Sequence, residues 1–261
     1  MFTKTVFILV MITACCSAQA QVKHKIKKSR RNKAESRFTL AKNDLQVEWE
    51  TGYEKLNSSL STFTYPNATI HYGITSRFEV NTEMSVLSAY DRSVSPQVTS
   101  TGVEPISAGF NYLLSKESYN GPAVIAAVQL AIPFLATKNF VASHLAPLIE
   151  LDIQQPFSKK LTAGISPGVF WDGFSTNPSF IYNAHIAYAA AKKWQLTSEC
   201  FGFINGEPAQ HNFDTQVDYT VNKHWQVGCT GGFGLSKSAH KGYAALNWVW
   251  GINTGVKKKK Q

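Results

Sequence analysis

From Leu45 onward, apolar and polar residues alternate with hardly a break. Leu45, Val47 and Trp49 interleave with Gln46, Glu48 and Glu50, and Ala68, Ile70 and Tyr72 interleave with Thr69 and His71. The same pattern sets Phe78, Val80, Thr82, Met84 and Val86 against Glu79, Asn81, Glu83 and Ser85. Further along, Leu145 to Ile153 alternates with Glu150, Asp152 and Gln154, and Phe213 to Tyr219 with Asp214, Gln216 and Asp218. A period of two over such lengths means strands whose two faces meet different environments.

Twelve segments of this kind are legible: 45–53, 65–73, 77–88, 104–114, 121–132, 144–155, 160–171, 178–190, 193–204, 211–220, 224–234 and 243–253. Short links follow the even strands ("GITSR", "KESYNG", "QPFSKK", "AAKK", "VNK"), whereas longer ones follow odd strands ("EKLNSSLSTFTY", "AYDRSVSPQVTSTGV", "PFLATKNFVAS"). Short turns on one rim, longer loops on the other, an even strand number and strands near ten residues predict an all-β fold. Specifically, they predict a transmembrane antiparallel up-and-down β-barrel of about 12 strands with both termini on the periplasmic side. A soluble β-sandwich also has many alternating strands. The strands here are long, however, and follow one another as hairpins without Greek-key spacing. Tyr53, Tyr65, Trp171, Tyr182, Trp194, Trp225 and Trp250 also fall near strand ends, as an interfacial girdle requires.

Charge changes the picture less than the net value of +9 suggests. Eight Lys/Arg lie between Lys23 and Arg37 and four more at Lys257 to Lys260, while the body from Phe38 to Val256 holds 13 Lys/Arg against 16 Asp/Glu. The basicity belongs to the tails, and blocks of like charge are solvated and repel. No nucleic-acid-binding module accompanies them, so no nucleic-acid partner is expected. The N-terminus reads as a secretory signal over 1–20, with Lys4, the apolar "VFILVMITA" and a small-residue site at Ala18-Gln19-Ala20. Ile12-Thr13-Ala14-Cys15 offers lipidation at Cys15 as the alternative. A basic, disordered periplasmic linker over 21–43, a barrel over 44–254 and a basic tail over 255–261 complete the division. Localisation in the outer membrane of a Gram-negative-type envelope follows. Cys200 and Cys229 fall two strands apart, roughly 10 Å at ~4.8 Å per strand, too far to bridge.

The hairpin Gly73-Ile74-x-x-Arg77-x-Glu79-Val80, the strand from Pro122-Ala123 to Ile132-Pro133, and "DTQVDYTVNKHWQVGCTGGFGLS" (214–236) together carry a resemblance. The chain resembles, over about 45–253, the outer-membrane β-barrel transporter family named for a meta-pathway of phenol degradation. It departs at Gln216, where the family often has Gly, at Gly228, where it often has Asp, and in its "GVKKKKQ" end, which lacks the terminal aromatic. The resemblance implies passage of small molecules, hydrophobic or aromatic ones among them, and leaves the solute unidentified.

If the apolar set faces lipid, nine acids line the lumen: Glu48, Glu50, Glu79, Glu83, Glu150, Asp152, Glu199, Asp214 and Asp218. Unpaired buried carboxylates are expensive, so a hydrated, cation-preferring lumen is one expectation. A plugged interior, in which these acids bond to Thr, Asn, Gln, Tyr and His, is the other, because twelve strands lie between the filled eight and the open sixteen. Ser107, Gly109, Ala127, Gly164, Gly228 and Gly232 are expected to leave room beside the acids. Catalysis is not expected, and neither is a metal or cofactor. Ser143 and His144 point to opposite faces, Ser238 and His240 sit in a loop, and His211 and Asp214 have the wrong spacing for one strand face. No Gly-x-Ser-x-Gly or His-Glu-x-x-His motif is present. Three readings stay open: a barrel passing small molecules, a closed structural or surface-binding barrel, and a secreted soluble β-sandwich. The expected partners are outer-membrane lipid and an unknown small solute, with the oligomeric state undetermined.

Overall fold

The computed structural model describes residues 39–93, 95–116, 121–205 and 208–254. The signal segment, the linker up to residue 38 and the tail 255–261 lie outside the described residues. The thirteen strands described are β1 (Asp44–Lys55), β2 (Leu60–Gly73), β3 (Phe78–Asp91), β4 (Val98–Val103), β5 (Ile106–Ser115), β6 (Ala123–Ile132) and β7 (Ala146–Pro156). They continue with β8 (Leu161–Phe170), β9 (Ser179–Ala191), β10 (Trp194–Ile204), β11 (Gln210–Thr220), β12 (Trp225–Gly234) and β13 (Gly242–Asn253).

All ladders are antiparallel, and each strand from β5 onward pairs with the next, while β13 returns to β1 and β1 to β2. The β2–β3 pairing closes the ring, so one continuous sheet replaces the two faced sheets of a sandwich. The short β4 and β5 share a single place in the ring. β3 pairs with β5 through Phe78–Glu83 and with β4 through Val86–Asp91, and the chain breaks its ladder at Glu104-Pro105. Proline lacks the N–H a ladder needs, which is why the strand divides there. The wall therefore has twelve strands.

Burial follows the two-residue period. Ile70, Met84, Phe110, Ile149, Ile165, Ile186 and Leu246 are exposed on the outside, while Thr69, Glu83, Asn111, Glu150, Ser166, Asn183 and Asp214 are buried inside. This is the reverse of a water-soluble domain, and it requires hydrocarbon outside. Full closure also leaves the sheet no open edge, which lipid demands. Outward-facing aromatics collect at both rims. Tyr53 and Tyr65 mark one end, and Trp194 and Trp225 the end where the described chain begins and stops, with the Trp225 and Trp250 ring centres 6.4 Å apart.

Two long links expected at the far rim are mostly strand. β1 runs to Lys55 and β2 starts at Leu60, because Tyr53 pairs with Phe63 and Lys55 with Ser61 after a bulge opposite Glu50–Gly52. The true loop, Leu56–Ser59, is closed by Asn57 Oδ1, which accepts from Ser59 and Leu60 N–H at 2.8 Å each. Likewise β3 extends to Asp91 and folds back through β4, raising a hairpin above the wall. The link after β6 holds two short 3₁₀ turns, Pro133–Leu135 and Lys138–Phe140. They cap this hairpin. Thr137 N–H donates to Val103 O at 2.9 Å, and buried Phe140 fills the space beside Gly102.

Residues 39–43 lie against the wall. Thr39 is buried, Leu40 N–H donates to Glu79 Oε2 at 2.8 Å, and Asn43 N–H donates to Gly73 O at 2.8 Å. The chain thus passes over the wall at Gly73, where a Cβ would overlap the Ala41 carbonyl. Gly73→Val is expected to displace residues 39–43 while leaving the ring closed. Increased protease cleavage before Asp44, with unchanged heat-modifiable gel migration, would show it.

Candidate functional site

The site is the lumen, and its side chains arrive from every strand through simple alternation. Of the nine predicted acids, Glu79, Glu83, Glu150, Glu199, Asp214 and Asp218 are buried, and Glu48, Glu50 and Asp152 are half-buried. All nine stand on the inner face, but the structure divides them into separate groups rather than one ring.

The first group gathers on β1, β2, β3 and β5. Glu79 is wholly buried and receives hydrogen bonds from Asn111 Nδ2 at 2.9 Å and Leu40 N–H at 2.8 Å. His71 Nδ1 lies 2.9 Å from Glu79 Oε1 while its Nε2 faces Glu48 at 3.7 Å, and Gln46 donates to Glu48 at 2.5 Å. The second group is smaller: Glu83 Oε2 accepts from Gln129 at 3.2 Å and Ser107 at 3.4 Å.

The third group forms a belt on β7 to β13. Asp152 accepts from Ser166 at 3.1 Å, Asn183 donates to Glu199 at 3.0 Å, and Tyr243 donates to Asp214 at 2.6 Å. Glu199 and Asp214 are direct cross-strand neighbours. Asp218 accepts from Gln216 at 2.7 Å and Asn247 at 3.4 Å.

Amides, hydroxyls and His71 thus bond to Glu48, Glu79, Glu83, Asp152, Glu199, Asp214 and Asp218. Sequence reasoning missed Gln46, Asn111, Gln129, Asn183 and Tyr243 as partners, although the period of two already put each on the inner face. The glycines do not leave the room expected of them. The space a Cβ would take is filled by His185 at Gly164, by Asp218 and Asn247 at Gly228, and by Tyr243 at Gly232. Gly109 instead admits the neighbouring β6 backbone. These glycines make room for large polar side chains of the paired neighbouring strands.

An apolar layer was also unforeseen. Leu148, Phe170, Ile181 and Phe203 cluster inside the wall on β7 to β10, near the rim opposite the termini, with Phe170 and Phe203 edge-on at 5.6 Å. At the same rim His240 Nδ1 contacts Glu54 Oε1, and both side chains are largely buried. That pair folds the link between β12 and β13 inward.

The residues considered for catalysis do not assemble. Ser143 and His144 both spend their backbone N–H groups on Gly173 O. Ser238 bonds to Ala209 O, whereas His240 bonds to Glu54. His211 faces outward to Tyr182 at 2.7 Å, away from Asp214. Cys200 and Cys229 are free, exposed on the outer wall and separated by β11. Among the described residues no cluster of His, Cys, Asp and Glu has metal-holding geometry.

The family described as "Putative MetA-pathway of phenol degradation" matches residues 28–250. No curated protein sequence matches the chain. Among solved structures it is similar to an outer membrane channel from Pseudomonas putida F1, at 12% identity and a TM-score of 0.66, covering 82% of this chain and 97% of that one. It is also similar to the KdgM porin, at 8% identity and a TM-score of 0.55, covering 78% and 98%. A third likeness is to the translocator domain of the autotransporter NalP from Neisseria meningitidis, at 10% identity and 0.55, covering 92% and 96%. At these identities the likeness is one of fold.

Proposed function

The chain belongs to this MetA-pathway family, and from that premise we propose that it is an outer-membrane channel, not an enzyme, which passes small molecules through an acid-lined lumen. One observation carries the proposal: a closed ring of strands, apolar outside and polar inside. The nine acids give passing cations favourable sites, and the apolar layer at Phe170 and Phe203 offers a first contact for a hydrophobic or aromatic solute. The tight burial of the acids limits passage to solutes of a few heavy atoms per cross-section, or to moments when side chains move.

Liposome swelling with solutes graded in size tests this. Swelling is expected with the smallest neutral solutes and lost with larger sugars. In planar bilayers under a salt gradient, the reversal potential is expected to carry the sign of cation preference, because the inner wall bears acids and its described lysines sit at the rims. An anion-favouring potential would end the acid-lining account. The full burial of Glu79 and Asp214 favours a second reading, a closed barrel that serves as structure or as a surface for binding. No swelling with any solute, from a correctly folded barrel, would decide for it.

In this reading residues 1–20 are a cleaved export signal, and the basic segments 21–38 and 255–261 lie on the periplasmic side. N-terminal sequencing of the membrane-extracted protein distinguishes cleavage before Gln21 from processing at Cys15.

A further inference from the structure

At the rim where the described chain begins and stops, Arg77, Lys116 and Lys223 stand singly in their links, and the basic residues double up along one arc. The turn between β7 and β8 holds Lys159 and Lys160, and the turn between β9 and β10 holds Lys192 and Lys193. Ala189 N–H donates to Lys160 O at 2.8 Å and Leu161 pairs with Tyr188, so the two turns stand side by side. All four lysines are exposed, neither turn contains an acid, and none of Lys159, Lys160 and Lys192 is held by a carboxylate. Lys193 is anchored instead, its Nζ donating to Val221 O at 3.1 Å and lying 5.5 Å from the Tyr219 ring centre.

Directly below these charges, toward the middle of the wall, the outer face presents Phe157, Tyr188 and Trp194, with exposures of 68%, 42% and 48%. Ile165 and Ile186 follow deeper. Two residues along a strand is about 6.6 Å, which is the order of cationic, aromatic and aliphatic layers that a lipid molecule meets from phosphate to acyl chain. Lysine stems reach along such apolar surface while the ammonium stays at headgroup level, and tyrosine and tryptophan settle at the interface itself.

We propose that this arc is a binding site for an anionic glycerophospholipid of the phosphatidylglycerol class. The phosphate would lie between Lys160 and Lys192, the glycerol backbone beside Tyr188 and Trp194, and an acyl chain along Ile165 and Ile186. The site rests on the membrane-barrel reading but not on conduction. A basic patch near a bilayer gains about one factor of five in lipid affinity per lysine.

The full barrel, purified in non-ionic detergent, would be titrated with phosphatidylglycerol and, separately, with phosphatidylethanolamine, and bound lipid counted by native mass spectrometry. Wild type is expected to retain phosphatidylglycerol at least tenfold more tightly. K159Q/K160Q/K192Q/K193Q should lose that preference while keeping heat-modifiable migration, and each lysine pair replaced alone should lose part of it. W194A should weaken both lipids. K55Q/K138Q/K237Q/K241Q, a fourfold change at the opposite rim, should leave retention unchanged. Equal retention of the two lipids would overturn the site. So would an unaltered fourfold variant, an equal loss in the opposite-rim variant, or displacement of the lipid by inorganic phosphate at matched concentration. A barrel that retains the lipid but never swells liposomes would leave this site standing and remove the channel.

Discussion

Replacing Ile149 by Arg is expected to destabilise the barrel by about 2–4 kcal/mol in phospholipid vesicles, the cost of a cation near the middle of the lipid face. Ile149 is 53% exposed on β7, with Pro147 and Leu151 as its outward neighbours. On a water-facing surface the same change would stay within about ±0.5 kcal/mol, so the size of the loss reports which solvent covers the wall. Equilibrium denaturant titration of vesicle-inserted protein, followed by tryptophan fluorescence, measures it. S58R, in the exposed link between β1 and β2, supplies the reference and should change little. A loss under about 1 kcal/mol for I149R would mean that hydrocarbon does not cover this face.

Glu79→Ala is the second change with a large expected effect, about 3 kcal/mol. The carboxylate has no exposure, and its removal leaves Asn111 Nδ2, His71 Nδ1 and Leu40 N–H without their acceptor. Each buried group so stranded costs on the order of 1–3 kcal/mol, part of which water entering the lumen offsets. Glu79→Gln keeps one oxygen acceptor and is expected to lose less than half as much. The same titration reads both. A double-mutant cycle with Asn111→Ala should be strongly non-additive, because the two side chains share one bond. Additive losses would mean that the pair contributes nothing to the wall's stability.

Much of the wall is legible in the sequence alone. A period of two needs no tertiary information, since successive side chains on a strand must point to opposite faces. All twelve predicted segments therefore overlap single strands, although 104–114 coincides with β5 and leaves out β4. The inward direction of all nine acids followed from the same rule. The far rim was misread because Asn57, Ser58, Ser59, Ser93 and Pro96 are turn formers, and turn formers mark where a chain can reverse. They do not show how far the flanking strands run. Thr62 and Thr64 are as suited to a strand as to a loop, and the pairing of Tyr53 with Phe63 settled the matter for that link.

The lumen's interior was the least legible part. Gly164, Gly228 and Gly232 looked like free space along one strand, yet His185, Asn247 and Tyr243 reach into it from neighbouring strands. Tyr243 meets Asp214 although 29 positions separate them.

Alternation along the chain by itself determined that this protein is a strand-built wall with an apolar face, an acidic face and basic tails, because each of these is a local property of neighbouring residues. Only the closed ring decided which acids meet, which amides serve them and how little room is left between them. Stagger and strand tilt bring together side chains dozens of residues apart, and no spacing along a single strand encodes that register.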